Sequence, residues 1–104
     1  MNEHKIRVAL VDDQRLLREG LRIILEAAPD IEVVGEAGDG VEAVQLAEQA
    51  RPDVMLMDIR MPLRDGIAAT EAIRKAFPTV RVLLLTTYDT PEQVIDGLRA
   101  GAAG

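Results

Sequence analysis

Oxygen-bearing side chains follow three separate apolar runs in this 104-residue chain. Ile6–Val11 (IRVALV) leads into Asp12 and Asp13, Val54–Met57 (VMLM) into Asp58, and Val80–Leu85 (VRVLLL) into Thr86 and Thr87. Short apolar runs bounded by polar residues read as buried strands. In an open parallel sheet, ligands bind in the crevice at the carboxyl ends of the strands, which is where these residues fall. If the first and third of the four strands expected are neighbours, three carboxylates converge, and like charges so close raise one another's pKa. Such a cluster costs stability and calls for a cation. The chain has no Cys and a single histidine, His4, and oxygen-only donors favour Mg2+ or Mn2+. Mg2+ commonly takes one or two carboxylates together with a phosphate oxygen. The site is therefore half-built for a phosphoryl group, and an Asp carboxylate can accept that group covalently. Any one of these Asp residues alone reads as an ordinary turn or cap residue. Three at one edge, with a hydroxyl at another strand end, read as a site.

The elements that must position these groups follow one another with short connections. After strand Ile6–Val11, Leu17, Leu21, Ile24, Leu25 and Ala28 recur at helical spacing, with Arg18, Arg22 and Glu26 on the opposite face, and Pro29 ends that helix. Ile31–Val34 is a second strand. Asp39-Gly40-Val41-Glu42 has capping-box spacing and opens a helix to about Ala50. Arg51-Pro52-Asp53 breaks the chain before strand Val54–Met57. Asp65 is placed to cap a third helix running to about Phe77, and Pro78 precedes strand Val80–Leu85. Thr90-Pro91-Glu92-Gln93 combines an N-cap Thr, Pro at the first helical position and Gln at the third, starting a helix to about Ala100. The order β-α-β-α-β-α-β-α predicts an α/β fold, a doubly wound parallel sheet flanked by helices. The uninterrupted apolar strands agree, because parallel strands are covered on both faces.

Composition narrows the functions. A chain of this length holds one domain with its own core. Phe77 and Tyr88 are the only aromatic residues, too few for a base-stacking platform. The absence of Cys removes disulfide frameworks and thiol catalysis, and one histidine leaves no His-based metal site or Ser-His-Asp triad. Twelve Lys and Arg against eighteen Asp and Glu give a net charge of −6, which argues against this segment gripping nucleic acid or an anionic membrane. Ile6–Val11 is too short for a signal-peptide core or a membrane span, so a cytoplasmic location is expected.

Two other patterns resemble sites without their chemistry. Gly35-x-x-Gly38-x-Gly40 reverses the G-x-G-x-x-G spacing and lacks the Lys-Ser/Thr of a phosphate-binding loop; these read as turn glycines. An aspartyl-nucleophile phosphatase typically carries a second Asp two residues after the first, where this chain has Arg60. With no second general acid or base, an independent phosphohydrolase is disfavoured and no enzyme is expected.

Asp12-Asp13, Asp58-Ile59-Arg60-Met61-Pro62 with Asp65-Gly66, and Leu85-Thr86-Thr87 together resemble the receiver domain of bacterial two-component response regulators. Leu98–Gly104 (LRAGAAG) resembles the subfamily whose full-length members carry a C-terminal helix-turn-helix of the LuxR/NarL type. The resemblance runs from Val8 to Gly104 and implies a flavodoxin-like receiver fold with strand order 2-1-3-4-5. It implies that Asp58 accepts a phosphoryl group from a sensor histidine kinase. Asp13, Asp58 and the backbone carbonyl of Arg60 would bind Mg2+, Asp12 would act partly through water, and Thr86 would turn its hydroxyl onto the phosphoryl oxygen.

In that family a fifth strand, with an aromatic switch residue and a lysine that pairs with the phosphate, would follow Gly104. Lys5 and Lys75, the only lysines, match neither its place nor its role. The expectation is a receiver spanning 1–104, cut before strand five, helix five and the DNA-binding domain, so that any DNA contact belongs to the longer protein. An uncovered strand-four edge invites pairing with another chain, so a homodimer or edge-strand association is expected. A non-switching interaction module with the same fold is the alternative.

Overall fold

The computed structural model describes residues 5–58, 66–85 and 90–103. Eight elements alternate: β1 (Ile6–Val11), α1 (Arg15–Glu26), β2 (Ile31–Ala37), α2 (Gly40–Ala50), β3 (Val54–Asp58), α3 (Gly66–Ala76), β4 (Arg81–Leu85) and α4 (Pro91–Ala103). The strands form one parallel sheet in the order β2-β1-β3-β4, the order expected for these four.

The strand faces explain the two-sided core. On β1, Ala9 and Val11 pack with Met55 and Met57 of β3 against Ala43 and Ala47 of α2 and Ala69 and Ile73 of α3. The alternate residues Val8, Leu10, Val54 and Leu56 face Leu25 of α1 and Val94 and Leu98 of α4. Leu25 and Leu98 are fully buried, and each such side chain contributes about 1.5–3 kcal/mol of burial. Ala43, Ala47 and Ala69 contribute small side chains to this layer, and Met55 and Met57 supply much of its bulk.

Local chemistry sets the helix starts. Asp39 accepts a hydrogen bond from the Glu42 N–H at 2.8 Å. The reciprocal bond comes from the N–H of Gly38 to Glu42 Oε1, one residue earlier than in the standard capping box. At α4 the box is complete: the Gln93 N–H donates to Thr90 Oγ1, and the Thr90 N–H donates to Gln93 Oε1. Asp65, expected to cap α3, lies outside the described residues.

Three sequence expectations are corrected. β2 runs to Ala37 rather than Val34, so Gly35 is a strand residue and not a turn glycine. Its reason is a close approach: a Cβ at position 35 would lie 2.6 Å from Leu46 Cδ1. The register shifts by one residue between Val8 and Ala9, leaving Val34 as the extra residue of a bulge. α4 extends to Ala103.

The third correction concerns α1. Leu17 and Ile24, assigned to its buried face, are 50% and 39% exposed, while Leu16 and Ile23 are 82% and 73% exposed. Arg18, assigned to the solvent face, has a side chain only 16% exposed. Leu21, Leu25 and Ala28 pack on the core as expected, and Arg18 joins them on the inward side. Apolar periodicity placed Leu21, Leu25 and Ala28 correctly and failed at Leu17, Ile24 and Arg18, because it cannot register the polar partners that draw Arg18 inward.

Candidate functional site

The site is built by strand register. β1 and β3 pair as Val8↔Val54 through Val11↔Met57, and continuing that register by one step sets Asp12 opposite Asp58. On the other side of β3, Asp58 pairs with Leu85, the residue before Thr86. The register is anchored at the far end by Asp53, whose carboxylate accepts from the Arg7 N–H at 2.9 Å while its own N–H donates to the Arg7 carbonyl.

Asp12, Asp13 and Asp58 therefore meet as the sequence predicted: each offers a carboxylate oxygen, and these lie within 4.8 Å of one another. Their environments differ. Asp12 is 5% exposed and is the buried charged residue among those described; Asp58 is half-buried and Asp13 exposed. Burial pushes the Asp12 carboxyl above its ordinary value; the Gln14 N–H pulls it down, and the charges of Asp58 and Asp13 push it up again. The net direction is upward. A hard divalent cation offsets this repulsion, and an all-oxygen set of partly desolvated carboxylates fits Mg2+. Thr86, Thr87 and Arg60 lie outside the described residues.

Asp12 is held on three sides. Its N–H donates to the Ala37 carbonyl of β2 at 3.1 Å. Its carboxylate accepts from the Gln14 N–H at 2.8 Å, and its backbone carbonyl accepts from Arg18 Nη1 at 2.5 Å. Arg18 Nε donates to Glu36 Oε1 of β2 at 3.1 Å, and Arg22 Nη1 donates to Glu36 Oε2 at 2.8 Å. Burial raises the Glu36 carboxyl, but the bonds from Arg22 and Arg18 outweigh it and leave it below its ordinary value. Sequence reading missed Arg18 and Glu36. The available signal was that Arg18 stands about one helical turn after the acidic pair; the apolar spacing of α1 pointed the other way.

Comparison with known proteins agrees with this architecture. The family model described as "Response regulator receiver domain" matches residues 8–104. The transcriptional regulatory protein YxjL of Bacillus subtilis is 53% identical over the whole chain, which covers 48% of that protein. The signal receiver domain of the response regulator NarL from Mycobacterium tuberculosis is 42% identical, with a TM-score of 0.78, 98% of this chain and 82% of that one being covered. A two-component response regulator of the LuxR family from Aurantimonas sp. SI85-9A1 superposes with a TM-score of 0.90 at 30% identity, over 96% of this chain and 86% of that one. The chain thus spans about half the length of the curated relatives it matches. On its sequence, its strand order and its fold, the chain belongs to the response regulator receiver domain family.

Proposed function

We propose that this chain is the phosphoacceptor module of a two-component pathway, with Asp58 as the residue phosphorylated by a sensor histidine kinase. The observation that carries the reading is the meeting of Asp12, Asp13 and Asp58 at the carboxyl edge of β1 and β3. Asp13 and Asp58, with the backbone carbonyl of Arg60, would ligate Mg2+, and Asp12 would act partly through water. Once bound, the cation offsets the negative charge of the carboxylates and of the arriving phosphoryl oxygens. An Asp58 carboxylate oxygen attacks phosphorus, the phosphorus–nitrogen bond of the phosphohistidine breaks, and the imidazole nitrogen keeps the bonding pair. Asp12 is desolvated and held by its bonds to Gln14 and Ala37, which supports its keeping a fixed place beside Asp13 and Asp58.

The new phosphoryl group brings acceptor oxygens and extra negative charge. Thr86 is assigned the hydroxyl that donates to one of them, which would bias the segment following β4 between two arrangements. In the longer protein this shift would control a LuxR/NarL-type DNA-binding output, with a cytoplasmic location. The chain itself carries a net charge of −6, which suits a regulatory module better than a DNA-contacting one. Among the described residues no helix is long and apolar enough to cross a membrane.

Docking of the kinase gains support from α1. Leu16 and Leu17 are exposed directly beyond the Asp12–Gln14 segment, so an apolar surface borders the acidic site. Association between copies, if it follows the β4 margin of the sheet, would use exposed Leu84. The central test is labelling with a small phosphodonor and Mg2+ in the full-length protein. Label is expected on the wild type and absent from Asp58→Asn; undiminished labelling of that variant would sink the assignment.

A further inference from the structure

We infer that Arg18 is a positioning residue for the cation site, holding the peptide between Asp12 and Asp13 so that Asp13 is delivered toward Asp58. This rests on the Mg2+-site reading above. Arg18 touches no carboxylate of the acidic cluster in the hydrogen bonds described; its contact is with the Asp12 backbone carbonyl. A peptide is planar, so fixing the direction of its carbonyl fixes the rotation of the whole unit. The unit in question is the one that carries the chain from Asp12 into Asp13.

The remaining contacts make that hold rigid. The Asp12 N–H is tied to β2 through Ala37, and the Asp12 side chain is tied to Gln14. The carbonyl is the third tether, and it comes from a side chain that starts on helix α1 and is itself clamped. Glu36 of β2 accepts from Arg18 Nε on one oxygen and from Arg22 on the other. A guanidinium can reach both Glu36 and the Asp12 carbonyl because its donors lie in one plane at fixed angles. An ammonium lacks that fixed plane and holds neither acceptor in a set direction.

Two features separate this arrangement from a surface ion pair. The Arg18 and Glu36 side chains are 16% and 22% exposed, against 83% and 52% for the neighbouring Arg15–Glu19 pair. The same guanidinium also donates to the Asp12 backbone carbonyl, tying α1 to the end of β1. Hydrogen-bonded groups behind a metal ligand commonly change affinity when removed, even though they never touch the ion.

The test uses calorimetric Mg2+ titration of the chain, thermal unfolding in chelator, and exchange of the Gln14 amide proton in the metal-free protein. Arg18→Met is expected to weaken Mg2+ binding roughly tenfold and to speed Gln14 exchange. Arg22→Met, which leaves the Asp12 carbonyl held, should bind Mg2+ as the wild type does. Arg18→Lys should recover part of the affinity. Because Arg18→Met strips one of the two partners from the half-buried Glu36 carboxylate, the double variant Arg18→Met/Glu36→Gln removes the cost of keeping that charge under-compensated. It should regain thermal stability while Mg2+ binding stays weak. Affinity within twofold of wild type in Arg18→Met, or full recovery of affinity in the double variant, overturns the inference while leaving the Mg2+ site standing. A wild type that does not bind Mg2+ at all overturns the site reading and the inference with it.

Discussion

Asp13→Asn tests whether the acidic cluster is a site held at a cost to the fold. The variant removes one of three carboxylates whose oxygens lie within 4.8 Å of one another, and so removes its repulsion with both Asp12 and Asp58. At that separation two unit charges repel by about 0.9 kcal/mol in a water-like dielectric, and by about 3.5 kcal/mol at an effective dielectric of about 20. Asp13 is exposed, so each pair sits near the lower figure, and relief from two pairs comes to about 1–2 kcal/mol. For a domain of this size that raises the unfolding midpoint by about 5–15 °C. In chelator at low salt, the variant should therefore melt above the wild type, with the gap shrinking as salt screens the charges. Mg2+ reverses the order of response: the wild type gains about 2.7 kcal/mol at a free concentration about a hundredfold above its dissociation constant, and the variant gains little. Equal melting in chelator, together with equal Mg2+ shifts, would refute the reasoning.

Three further outcomes follow from the packing and the charges. Gly35→Ala puts a Cβ 2.6 Å from Leu46 Cδ1, but that atom ends a half-buried flexible side chain that can turn aside, so the loss in denaturant unfolding should stay below about 1 kcal/mol; a larger loss would mean that Leu46 is held in place. Thr90→Ala removes the side-chain half of the α4 capping box and should cost about 1 kcal/mol, read in the same assay; no loss would mean that Pro91 and Gln93 suffice to start α4. Glu36 has its pKa lowered from 4.5 in the fold, so its stabilising contribution is complete above that unfolded value and is lost as pH falls through the lower folded value. The stability gap between wild type and Glu36→Gln should accordingly be constant near neutrality and close on acidification; a gap that widens in acid would contradict the Arg18 and Arg22 contacts.

Most of the element order was legible because apolar strands and capping residues are local signals. Asp39 and Thr90 start α2 and α4 as their spacing predicts, and each apolar run from β1 to β4 forms a strand. The ends were less legible. β2 continues through Gly35 and Glu36 to Ala37 because β1 offers partners there, and no local signal carries that pairing. α1 was read correctly at Leu21, Leu25 and Ala28 but not at Leu17, Ile24 and Arg18, since hydrophobic spacing ranks residues by their type alone. Arg18 turns inward because Glu36, eighteen residues on, and the Asp12 carbonyl accept its hydrogen bonds.

The residue types alone determined that an oxygen-only cation chemistry was available, since Asp12, Asp13 and Asp58 are fixed by sequence and no Cys competes. That these three meet depended on β1 lying beside β3 in one register. Tertiary structure also decided their inequality: Asp12 is buried and raised in pKa, while Asp13 stays in solvent. Sequence can name a carboxylate, but its burial and its distance from another are properties of the packed strands. The clamp from α1 through Arg18 belongs to the same class, because it joins three segments that only the folded sheet brings together.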